Sequence, residues 1–154
     1  MRKFNISIYL LFTISCFSNS EEATGPFFES SGYAIGGYDP VSYHEQSEAK
    51  KGFENETTEY NGATYCFSST KNKGLFELNP QKYLPAYGGW CAYAVAEKSI
   101  RMAPDPTEWQ IQDGKLQLFT SNLMTKLTGN LRDKWNENPN AFKARADQNW
   151  DQMN

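Results

Sequence analysis

The chain is poor in the side chains that bind metals and do acid–base work. It holds one histidine and three cysteines in 154 residues. It has no serine-hydrolase elbow, no Walker loop, no GxGxxG and no HExxH, so the enzyme classes those motifs mark lack their signatures here. The glycines of "GYAIGGYDP" do not have phosphate-cradle spacing and read as a strand and a turn. Acids such as Asp105, Glu108 and Asp113 stand at cap and turn positions, where structural roles account for them. There is no basic stripe. The net charge is −3 with both signs interspersed, so nucleic acid is not an expected partner. After Cys16 no run is apolar enough to cross a membrane, so that part is expected to be soluble. No internal repeat or low-complexity tract stands out.

What the chain does have is aromatic residues, 15% of the total. They favour a firm core and also line pockets. The length suits one domain with a real core. The start, "MRKFNISIYLLFTISC", runs from basic Arg2 and Lys3 through an apolar stretch to Ser15 and Cys16. That order reads as a signal peptide over residues 1–15. "TISC" resembles a bacterial lipobox, with Thr13 where such boxes most often have Leu. In that reading Cys16 is lipidated and becomes the mature N-terminus; otherwise the chain is simply cleaved nearby. Residues 16–31 are read as a flexible tether and 32–154 as the folded domain. The expectation is an exported protein of the cell envelope, lipid-anchored to a bacterial membrane through Cys16 or periplasmic. In an oxidising compartment the remaining pair, Cys66 and Cys91, first suggests a disulfide.

Four acid-or-amide–proline pairs punctuate the chain: Asp39-Pro40, Asn79-Pro80, Asp105-Pro106 and Asn138-Pro139. Asp or Asn at N-cap with Pro at N1 predicts a short helix from each proline, with only a turn as the alternative at each. Asn61-Gly62 and Asp113-Gly114 sit between β-rich runs and predict two hairpins with type I′ turns. Tyr65 and Phe67 share one face of the first, Thr64 and Cys66 the other. Trp109, Ile111, Leu116 and Leu118 alternate with polar residues in the second. Ser68 and Ser69 cap a helix to Leu78 with Leu75, Phe76 and Leu78 inward. Gly88 and Gly89 break the chain before "WCAYAVAEK", a short helix or buried strand. Leu123, Leu127, Leu131 and Trp135 form one apolar stripe on a helix, and a last helix holds Phe142, Ala146 and Trp150. The sum is an α+β fold, a small antiparallel sheet with two hairpins packed by several short helices and two C-terminal helices.

"GGYDPVSYH", "YNGATYCFSSTKNKGLFELNPQKYLPAYGGWCAYAVA" and "DPTEWQIQDGKLQLF" together resemble the YHS-domain family, in particular its exported single-domain branch. The resemblance spans roughly Gly32 to Trp150 and is densest from Tyr60 to Ala96. It implies metal. Related domains carry a Cys after an Asp-Pro-Val and a Cys-x3-Cys just after the hairpin's Phe. Those places hold Ser42, Ser68 and Asn72 here. Ser and Asn are poor replacements for thiolates in a soft-metal site, so that site does not carry over. Cys91 remains, matching the "GG-aromatic-Cys-Ala-Tyr-Ala" of the exported branch, together with the only imidazole, His44.

Four readings of Cys91 stay open: buried core residue, disulfide partner of Cys66, metal ligand, or catalytic thiol. If a metal is bound, Cys91 and His44 are the candidate ligands, and two such ligands suit Cu(I) better than a closed zinc site. The function readings are correspondingly three. One is an exported module that handles a transition metal of the copper type. Another is a structural or interaction domain without metal, held by a Cys66–Cys91 disulfide. The third is a thiol-dependent enzyme, for which no base lies near Cys91 in sequence.

Overall fold

The computed structural model describes residues 25–154. Cys16, the expected signal peptide and most of the expected tether lie outside the described residues. Six short strands and seven helices follow one another. They are β1 (Glu29–Ser30), β2 (Tyr33–Ala34), α1 (Pro40–Glu45), β3 (Phe53–Tyr60), β4 (Ala63–Phe67), α2 (Thr70–Leu78), α3 (Pro80–Tyr83), α4 (Ala92–Lys98), β5 (Asp105–Gln112), β6 (Lys115–Phe119), α5 (Leu123–Thr128), α6 (Leu131–Asn136) and α7 (Pro139–Met153). The α+β class is as expected. No helix among the described residues is long and apolar enough to cross a membrane.

Local chemistry sets most boundaries. Asp39 caps α1, Ser69 caps α2 and Asn138 caps α7, each accepting a backbone N–H of the first turn. Both hairpins turn through left-handed residue pairs, Asn61 and Gly62 at φ 51° and 83°, Asp113 and Gly114 at 51° and 73°. That geometry belongs to type I′ turns.

Several expectations are corrected. The strands do not form one sheet but three separate antiparallel pairs, β1–β2, β3–β4 and β5–β6. The two large hairpins meet through side chains instead: Leu116 and Leu118 of β6 join Tyr65 and Phe67 of β4 in one buried cluster. Asp105-Pro106 opens strand β5, not a helix. The Asp105 carboxylate accepts from the Thr107 amide and hydroxyl, and the ladder is irregular between Asp105 and Trp109. Pro106 therefore costs no ladder bond. Leu78 points out, 84% exposed. The single helix with a Leu–Trp stripe is two helices, α5 and α6. Gly129 at φ 106° breaks it, and Asn130 starts a new cap on the Arg132 amide. Leu123 and Leu127 are consequently exposed while Trp135 is buried. The folded part also begins before Gly32. Phe28 is 7% exposed, and Gly25 accepts the Trp90 indole N–H.

The structure also holds a repeat that the sequence hides. Two units of the same design follow one another at a constant spacing of 52 positions (39 to 91, 67 to 119). Each opens with a left-handed turn, Ile35-Gly36-Gly37 in the first and Tyr87-Gly88-Gly89 in the second. Each continues with a short helix, α1 or α4, with Asp39 or Cys91 at its N-cap position, though only the Asp39 side chain bonds the first turn. Each then has a left-handed serine, Ser47 or Ser99, and a hairpin with an eight-residue and a five-residue strand. Phe53 pairs with Phe67 as Asp105 pairs with Phe119. The Asp39 amide donates to the Lys50 carbonyl at 2.8 Å, and the Cys91 amide donates to the Met102 carbonyl at 3.0 Å. Beyond the second unit, α6 and α7 cover its core with Trp135 and Ala146, which cluster with Phe119 and Val95.

Candidate functional site

Asp39 is the centre of the first unit's polar chemistry. Its side chain is fully buried, placed there because it caps α1 directly after the left-handed turn. Oδ1 accepts from the amides of Val41 at 2.9 Å and Ser42 at 3.3 Å. Oδ2 accepts from the Ser68 amide at 2.8 Å, the Ser68 hydroxyl at 2.7 Å and the Asn72 side-chain amide at 2.6 Å. The Asn72 amide also reaches the Ser68 hydroxyl at 3.3 Å. Ser42 is buried alongside and donates its hydroxyl hydrogen toward the carbonyls of Asp39 and Glu48, at 2.8 and 2.7 Å. The side chain of α2 that closes this arrangement, Asn72, is 2% exposed.

The three positions where the resemblance places thiols therefore do converge in space. They converge on a carboxylate. A carboxylate offers roughly four lone-pair directions, and Asp39 already accepts from five donors. Ser68 and Asn72 present hydrogens to it, not lone pairs. A metal ion needs those lone pairs free. The residues present do not fit a metal at the family position. The sequence reading takes Asp39 as a cap only. The signal that it does more is that Ser68 and Asn72, both hydrogen donors, stand together at two former thiol positions.

The structure does not assemble the other candidate ligands into one site. Cys91 is fully buried at the N-terminus of α4. Its Sγ accepts the Thr120 amide at 3.3 Å. Thr120 follows Phe119 as Ser68 follows Phe67, so this bond is the second unit's counterpart of Ser68 on Asp39. His44 lies on α1 with its ring edge against Tyr83 at 5.5 Å between centroids. Its Nε2 is buried without a hydrogen-bond partner among the described residues. Burial, with the charge of Lys82 second, holds its pKa below the ordinary histidine value. Lys82 itself bonds the Glu45 carboxylate at 2.6 Å, and the Tyr83 hydroxyl donates to the same oxygen at 2.9 Å. Cys66 sits on β4 opposite Thr57, and burial pushes its thiol up. Cys66 and Cys91 are both free buried thiols. No cluster of three or more His, Cys, Asp or Glu among the described residues is arranged to hold a metal ion.

The family model of the YHS domain matches residues 41–87. The chain is similar to that family over this segment, which is less than half of its length. The match covers most of the first unit and stops where the second begins. No curated protein matches the chain, and no solved structure does.

Proposed function

We propose that the chain is an exported, lipid-anchored YHS-domain protein that works as a metal-free binding module and not as a copper carrier. One observation carries this reading: the buried Asp39 carboxylate accepts five hydrogen bonds where the family resemblance calls for metal-binding thiols. A saturated carboxylate ties three segments together and leaves no open coordination position. The second unit supports it, because Cys91 takes the same inward role toward Thr120. A buried thiol with one amide neighbour has no second ligand and no base beside it among the described residues, so neither copper transfer nor thiol catalysis follows from it.

The test is metal analysis of untagged, reduced, full-length protein, followed by Cu(I) titration against a competing chelator. Wild type, Cys91→Ser and His44→Ala should all fail to compete. Stoichiometric copper in wild type that is lost in Cys91→Ser would overturn the reading. The anchor is tested separately by intact mass of the membrane fraction: an acyl adduct on Cys16 is expected, and its absence would reduce the protein to a secreted form.

A further inference from the structure

Four tyrosines are buried among the described residues, Tyr43, Tyr65, Tyr83 and Tyr87. Three of their hydroxyls have partners. Tyr43 donates to the Pro106 carbonyl at 2.9 Å, Tyr83 to Glu45 at 2.9 Å and Tyr87 to Asp147 at 3.0 Å. Tyr65 is only 1% exposed as a residue, and its hydroxyl has no protein partner among the described residues, yet it is not one of their fully buried unpaired atoms, which are His44 Nε2 and Arg101 Nε. Water or a ligand can therefore reach it, and the hydroxyl of a tyrosine this buried normally takes a partner. Tyr65 is also the one of the four that lines a cleft. That cleft holds about 350 Å³ and is walled by Phe27, Leu84, Pro85 and Trp150, with Asn154 at its edge. Its volume falls within the range of small-molecule sites, and its make-up matches theirs, apolar walls with few polar groups.

The walls are held in place from behind. Trp150 packs edge-on against Tyr87, with 6.2 Å between centroids, and carries the Arg101 guanidinium over its ring at 5.3 Å. The segment ending in Phe27 is pinned by the Phe28 amide on the Gly88 carbonyl at 2.8 Å. It lies so close to Gly88 that a Cβ there would sit 1.9 Å from the Pro26 oxygen. Tyr65 itself is held against Phe76, with centroids 5.0 Å apart. Burial, and Glu29 after it, keep the phenol protonated, so it offers a hydrogen.

We infer that this cleft binds a small, uncharged, largely apolar molecule with an aromatic ring and one carbonyl-type acceptor, the ring against Trp150 and the acceptor on the Tyr65 hydroxyl. The inference deepens the binding-module reading and rests on it. The metal analysis above and the titration below fail independently.

A pair of probes of closely matched shape isolates the acceptor: 2-acetonaphthone, which has a carbonyl, and 2-isopropenylnaphthalene, in which a CH2 group replaces the oxygen. Each is titrated into full-length protein and followed by calorimetry and by amide NMR shifts. The ketone should bind more tightly by roughly fivefold, the effect of one neutral hydrogen bond, with shifts at Phe27, Leu84 and Trp150. Tyr65→Phe keeps the ring and should remove that preference while leaving binding of the hydrocarbon unchanged. Trp150→Ala should weaken both. Absence of binding, shifts confined to other surfaces, or a ketone preference that survives Tyr65→Phe would each overturn the proposal.

Discussion

At the N-terminus of α1 the chain buries a carboxylate; at the equivalent place, the N-terminus of α4, it buries a thiol. The backbones around the two are alike, down to the amide that follows each hairpin and donates to the cap side chain, Ser68 to Asp39 and Thr120 to Cys91. The surroundings differ. Near Asp39, Ser68 and Asn72 supply side-chain donors. At the positions matching Ser42 and Asn72, the second unit has Ala94 and Met124, neither of which donates from its side chain. The comparison teaches that one backbone design accepts either a charged or a nearly apolar cap, provided the neighbours change with it. A buried charge is tolerated only with its donors around it.

The most direct way to break the comparison is to remove each cap. Asp39→Ala strands five donors and should cost roughly 3–5 kcal/mol in urea unfolding. Cys91→Ala strands one amide and should cost roughly 1–2 kcal/mol. Cys91→Asp should cost more than Cys91→Ala, because Ala94 and Met124 cannot solvate a carboxylate. An Asp at position 91 that matched or exceeded wild-type stability would show that the two cap sites are not shaped as described.

The paired turns sharpen it next. Gly36 and Gly88 both have φ 59°. A Cβ at Gly36 meets nothing closer than 3.7 Å, whereas at Gly88 it would lie 1.9 Å from the Pro26 oxygen. Gly36→Ala should therefore cost only the left-handed penalty, about 1 kcal/mol. Gly88→Ala should cost roughly 2–3 kcal/mol and loosen the segment from Gly25 to Phe28, read by faster hydrogen exchange of the Phe28 amide. Equal costs at both glycines would remove the close approach from the account.

A smaller effect separates the units by pH. His44 belongs to the first unit, and its counterpart is Ala96. The folded state lowers the histidine pKa from 6.5, through burial first and Lys82 second. Its contribution to stability is therefore complete above the unfolded value and lost as pH falls through the lower folded value. The urea midpoint should decline as the pH drops below that of free histidine, and His44→Gln should flatten that part of the curve. An unchanged slope in the variant would take His44 out of the account. The smallest effect is expected at α5. Leu127 matches Leu75 of α2 by position but is 74% exposed, whereas Leu75 packs on the first core. Leu127→Ser should change stability by less than about 0.5 kcal/mol, and Leu75→Ser by more. The opposite order would mean that α5 is covered in solution.

Much of the local structure was legible in the residues. The Asn61-Gly62 and Asp113-Gly114 turns, the caps at Asp39, Ser69 and Asn138, and the C-terminal helix with Ala146 inward all follow from chemistry within a few positions. Asp105-Pro106 reads first as a helix start and only second as a turn, because the same Asp side chain that caps a helix also folds an Asx turn onto Thr107. The repeat was hidden because the units agree chiefly at turn glycines such as Gly36 and Gly88, Gly37 and Gly89, Gly62 and Gly114. Core positions between them need only similar volume, so Ile35 faces Tyr87 and Tyr38 faces Trp90 in the two series. The site was partly legible: the missing thiols at Ser42, Ser68 and Asn72 were plain, but not what replaced them.

By itself, then, the sequence determined where the two large hairpins turn and where α1, α2 and α7 start, because each depends on neighbouring residues and their allowed dihedrals. Only the tertiary structure decided that Asp39 gathers Ser68 and Asn72 from 29 and 33 positions away. It alone decided that Cys91 turns inward to Thr120, and that Tyr65, among the described residues, is the buried tyrosine that lines a cleft without a protein partner for its hydroxyl. Burial and hydrogen-bond partners are properties of segments that meet in space, and their separation along the chain carries no local signal of the meeting.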